Sequence, residues 1–88
     1  MANQQLQLKL QGDGQLVWLQ PFDSASLNGG KVTFEVVVDT AAAIGDDKQE
    51  KIRQAFPRLL PGISVSLGLS CWTKPNQIAF TAHLEKIN

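Results

Sequence analysis

From Ile63 to Cys71 the chain alternates without a break. Ile63, Val65, Leu67, Leu69 and Cys71 are apolar, and Ser64, Ser66, Gly68 and Ser70 between them are small and uncharged. A period of two marks a half-buried β-strand, because successive side chains point to opposite faces. The pattern recurs. Leu6, Leu8 and Leu10 alternate with Gln5, Gln7, Lys9 and Gln11. Val32, Phe34, Val36 and Val38 alternate with Thr33, Glu35 and Val37. Ile78, Phe80, Ala82 and Leu84 alternate with Ala79, Thr81, His83 and Glu85. A chain written this way must build a sheet and then cover one of its faces.

The segments between these runs set the order. Gly12-Asp13-Gly14 suits a tight hairpin loop leading into a return strand over Gln15 to Gln20. Leu16, Val17, Trp18 and Leu19 do not alternate, which suggests a strand that is central or covered on one face. Pro21 to Gly30 reads as a loop, with a turn at Asn28-Gly29-Gly30. Asp46 and Asp47 each have Gln or Glu three residues on, so either can N-cap a helix running to about Phe56. Ile52, Ala55, Phe56 and Leu59 form its apolar side. Pro57 to Leu60 allows a short further turn, Pro61-Gly62 ends it, and Thr73-Lys74-Pro75-Asn76 turns the last hairpin.

The expected architecture is a single α+β domain spanning residues 1–88. It has a small five-stranded, mainly antiparallel sheet in the order β-β-β-α-β-β, with one amphipathic helix packed on it. Five strands make a sheet roughly 19 Å across, and one helix is about 10 Å wide. The helix alone leaves apolar surface uncovered. Either a second molecule covers the remainder of an open sheet, which is the preferred reading, or the sheet curls into an OB-like small barrel, whose element order is the same.

Composition narrows the function classes. Eight basic and eight acidic residues give a formal net charge of zero, which disfavours a protein built chiefly to neutralise phosphates. A single cysteine excludes an internal disulfide. No apolar run approaches the roughly 20 residues of a membrane span, and the opening Met-Ala-Asn-Gln-Gln has no export signature. A cytoplasmic protein without a membrane partner is expected.

Catalytic patterns are thin. Cys71 lies in the apolar phase of its strand and His83 in the polar phase, so a hairpin would put them on opposite faces. His83 and Glu85 share a face but lack a third metal ligand. Asp13, Asp46 and Asp47 are accounted for by a turn and a helix start, and Gly12-x-Gly14 lacks the third glycine of a dinucleotide fingerprint. No catalytic, cofactor-binding or metal residues are assigned.

The expected function is a non-catalytic protein–protein interaction module: an adaptor, regulator or small subunit of an assembly, with self-association into a homo-oligomer. Edge strands ordinarily carry charges that discourage pairing. The run at Ser64, Ser66, Gly68 and Ser70 has none, and the first strand is nearly as mild. Such strands are either interior or available to another chain. Trp72, Trp18, Phe22 and Leu27 are the candidate contacts. The alternative is an OB-like protein binding single-stranded nucleic acid through Lys48, Lys51, Arg53 and Arg58.

Overall fold

A computed structural model describes residues 4–23, 27 and 30–87. The expected turn at Asn28-Gly29 lies outside them. The elements are β1 (Gln4–Leu10), β2 (Leu16–Trp18), β3 (Lys31–Thr40), α1 (Asp46–Ala55), a 3-10 turn (Phe56–Leu59), β4 (Ile63–Lys74) and β5 (Gln77–Lys86). They form one five-stranded open sheet in the spatial order β2-β1-β3-β5-β4. The α+β architecture expected from the alternation is therefore present. The barrel is not, because β2 and β4 stand at opposite edges and do not pair.

Pairing is mostly antiparallel, but β1 and β3 run parallel from Gln4↔Phe34 to Leu10↔Thr40. Hairpin logic alone gives antiparallel neighbours throughout the first three strands. What differs is the long connection after β2. It delivers β3 to the far side of β1 rather than beside β2, so β3 opposes β2 in direction and matches β1. Likewise β3, α1 and β4 make a crossover, with β5 filling the gap between the two strands.

The loops before and after β3 help with the covering problem. Leu27 is fully buried and Ile44 nearly so, beside Ile52, Phe56 and Leu60 from the helical segment. Loop side chains thus cover part of the area that a single helix cannot. Aromatic rings tie the layers together. Phe34 meets Phe22 edge-on, Phe22 stacks on Trp18 at 5.5 Å, Trp18 meets Phe56, and Phe56 meets Phe80 at 5.8 Å. Trp72 alone among the aromatics stands outside this chain of ring contacts.

Local chemistry explains the boundaries. Gly14 and Gly62 have φ of 88° and 78°, a region ordinarily reserved for glycine, and each closes a turn before a strand. Gly45, not an aspartate, is the N-cap of α1, with no side-chain cap. Asp46 and Asp47 lie in its first turn, where negative charge complements the helix dipole. Pro57 is accommodated because the helix has already tightened into the 3-10 turn. β2 is shorter than the expected Gln15–Gln20 and lies at an edge rather than in the centre.

Candidate interaction surface

The apolar alternation of β4 does not survive as a single phase. Leu67 opposes Ala82, yet Ser70 opposes Phe80. Gly68 and Leu69 together therefore face Thr81, which is a β-bulge. One extra residue flips the side chains that follow to the other face, as far as Trp72, where a second register shift intervenes. Ser64 and Ser66 remain on the exposed face as expected, whereas Ser70 turns toward the helix. Leu69 is left 94% exposed. Cys71, expected in the core, is exposed. Trp72 turns toward the helical side.

Two contacts hold this arrangement. Arg53 Nη1 donates to the carbonyl of Gly68 at 2.7 Å and to Ser70 Oγ at 3.1 Å. Trp72 Nε1 donates to the carbonyl of Ile44 at 2.9 Å, tying β4 to the loop between β3 and α1. That loop is also joined to the β4–β5 turn. Asn76 Nδ2 donates to the Thr40 carbonyl and Ile44 N–H to the Pro75 carbonyl.

No described strand pairs with the far side of β4. The hydrogen-bond phase shows which groups point there. Ile87 N–H donates to the carbonyl of Gly62 at 2.9 Å, in line with the register Ile63↔Lys86. In an antiparallel ladder, directly bonded pairs alternate with non-bonded ones. Ser64 and Ser66 therefore direct their main-chain groups at Glu85 and His83 of β5. Ile63, Val65 and Leu67 direct theirs away, to the open side. The Ile63 amide is already taken by the Leu60 carbonyl at 3.2 Å. The first strand resolves the other way: β1 is interior, flanked by β2 and β3.

The candidate contacts fare differently. Trp72 lies on β4 and is 42% exposed. Trp18 and Phe22 are half-buried, and with Leu59, Pro61 and Ile63 they line a shallow cleft of about 190 Å³. Leu27 has no exposed surface, so its selection as a contact is corrected: it serves the core. Sequence reasoning missed Val65 and Leu67 as edge groups. The glycine at 68 within a strand pattern was the available signal of a bulge that limits the regular edge.

The four basic residues do not make one surface. Lys48 and Lys51 border a crevice beside the Gly12-Asp13-Gly14 turn. Arg53 is half-buried and bound to β4, and Arg58 stands on the 3-10 turn. Phe34 and Phe80, buried in the core, offer no stacking platform. The loss of the barrel removes the fold on which the nucleic-acid alternative rested.

His83 Nδ1 lies 3.0 Å from Thr33 Oγ1. The bulge brings Cys71 to the same face as His83, contrary to expectation. Cys71 opposes Ala79, four residues before His83, so the two are separated by roughly 14 Å, beyond proton-transfer distance. Among the described residues no group of three or more His, Cys, Asp or Glu is placed to hold a metal ion. No described helix is long and apolar enough to cross a membrane. The chain matches no family model, no curated protein and no solved structure.

Proposed function

We propose that this chain is a non-catalytic protein–protein interaction module, working in the cytoplasm as an adaptor, regulator or small assembly subunit. It binds by taking an extended protein segment onto the open edge of β4. One observation carries the reading. β4 is a twelve-residue edge strand with no charged side chain before Lys74. Natural edges are blunted by charge, proline, shortness or a covering element. Here the register shifts at Gly68–Leu69 and between Trp72 and Lys74, together with Arg53 on the Gly68 carbonyl, interrupt the later part of the edge, and Ile63 to Leu67 remains regular and uncharged. Main-chain pairing supplies affinity in such complexes, and side-chain pockets supply selectivity. Trp72, on the same strand and partly exposed, is the side chain best placed for that selectivity. Trp18 and Phe22 form a separate apolar cleft near the start of β4.

Amide hydrogen exchange tests the reading. The probe is a synthetic peptide of alternating valine and threonine. Its addition should slow exchange at Val65 and Leu67, whose amides face the open edge, and leave the Ser64 and Ser66 amides unchanged. Fast exchange at Val65 and Leu67 that is equal with and without peptide overturns it; exchange already slow before addition means that another segment is seated on the edge.

A further inference from the structure

We infer that the segment docking on this edge is β4 of a second copy of the chain, paired antiparallel about a two-fold axis at Val65. The inference rests on β4 being a docking edge and names its occupant.

The regular part of the edge is symmetric about that point. It begins after Gly62, whose positive φ turns the chain, and ends at the bulge after Leu67. Val65 is the midpoint of Ile63 to Leu67. A two-fold axis there sets Val65 against Val65 of the second copy, Ser64 against Ser66, and Ile63 against Leu67. Branched apolar residues meet one another on the helix-side face, and serines meet on the other. No like charges oppose, which would destabilise the pairing.

The main-chain groups fit the same axis. Val65 points both its N–H and its C=O at the open side, so the two copies exchange a bonded pair at the centre. The Ile63 carbonyl is aimed outward and can accept from Leu67 N–H of the second copy. The Ile63 amide is held by the Leu60 carbonyl, so the Ile63–Leu67 pair at each end of the ladder makes one bond rather than two. The same register brings the exposed Leu69 level with the Pro61-Gly62 turn of the second copy and shields it from water.

The opposite edge favours this closed pairing over open-ended assembly. β2 is only three residues long. A head-to-tail contact of β4 with β2 of the next copy would satisfy far less of β4 than β4 with itself. An isologous contact also closes after two copies, whereas a heterologous one need not.

The test combines sedimentation with cysteine cross-linking. The chain should dimerise with rising concentration. Val65→Pro removes an N–H that the intramolecular ladder does not use, a placement tolerated in edge strands. It should weaken dimerisation by about tenfold or more without changing the circular dichroism spectrum. In a Cys71→Ser background, mild oxidation should link two copies through Val65→Cys and not through Thr81→Cys, which sits on the exposed sheet face. A dimer that links through Thr81→Cys and not through Val65→Cys overturns the inference. So does a monomer at every concentration. If that monomer still shows valine–threonine peptide protection at Val65 and Leu67, the docking edge stands and only its occupant is wrong. If it shows none, both readings fall.

Discussion

The two edges of this sheet are built on opposite strategies. β2 is only three residues long, and Pro21, which cannot donate to a ladder, follows soon after it. β4 runs for twelve residues, without charge until its last position. Both edges contribute side chains to the same core: Leu16 and Trp18 at one side, and Val65 and Leu67 at the other. The difference lies in the main chain. β2 offers little to a partner, while β4 offers a regular ladder from Ile63 to Leu67. Short length alone is enough to quiet an edge. An edge left long and uncharged is a feature to be explained by what pairs with it.

The largest expected effect would remove what the two halves of the sheet share. Phe56 contacts Trp18 on β2 and Phe80 on β5, and it is fully buried. Phe56→Ala should cost about 3–5 kcal/mol in a denaturant melt, enough to unfold a marginal small domain. A loss below about 1 kcal/mol would mean that the core does not join the edges through this ring.

A proline pair sharpens the account of β4. Ser66→Pro removes an N–H aimed at His83 of β5 and should cost roughly 1–3 kcal/mol through the partner left unsatisfied. Val65→Pro, one residue away, should cost much less because its N–H faces outward. Equal losses in thermal melts would show the hydrogen-bond phase to be reversed.

Arg53 sets the end of the regular edge. Arg53→Met keeps the aliphatic stem but loses the bonds to Gly68 and Ser70. Stability should fall by about 1–2 kcal/mol, with faster amide exchange centred on Leu67 to Cys71. Unchanged exchange there would mean that the bulge holds without its clamp.

Trp72→Ala should have the smallest effect on the fold, since the ring is partly exposed and its one hydrogen bond is to the Ile44 carbonyl. Self-association should weaken while the circular dichroism spectrum stays intact. Loss of folding instead would assign Trp72 to the core.

Much of the fold was legible in residue order because burial imposes a period. Leu6, Leu8 and Leu10, then Phe34, Val36 and Val38, then Ile78, Phe80 and Leu84 all face the core as their alternation requires. The helical segment was marked by Ile52 and Phe56 and by the stop at Pro61-Gly62. The candidate surface was legible only in part. The uncharged run of β4 stood out, yet its phase after Leu67 did not. Periodicity assumes one residue per opposing residue, and the bulge breaks that count at Gly68–Leu69. Cys71, Ser70 and Trp72 changed faces for this single reason.

Sequence alone determined which segments extend, which one coils, and which face of each strand seeks the core. These follow from local geometry and from the cost of leaving apolar surface in water. Only the tertiary structure decided that β1 is interior and β4 is not, although both are mild in charge. Strand neighbours depend on where the connections cross. β1 lies between β2 and β3, and the α1 crossover leaves room for β5 between β3 and β4. That placement puts the uncharged strand at the rim, with the main-chain groups of Val65 and Leu67 pointing away from β5.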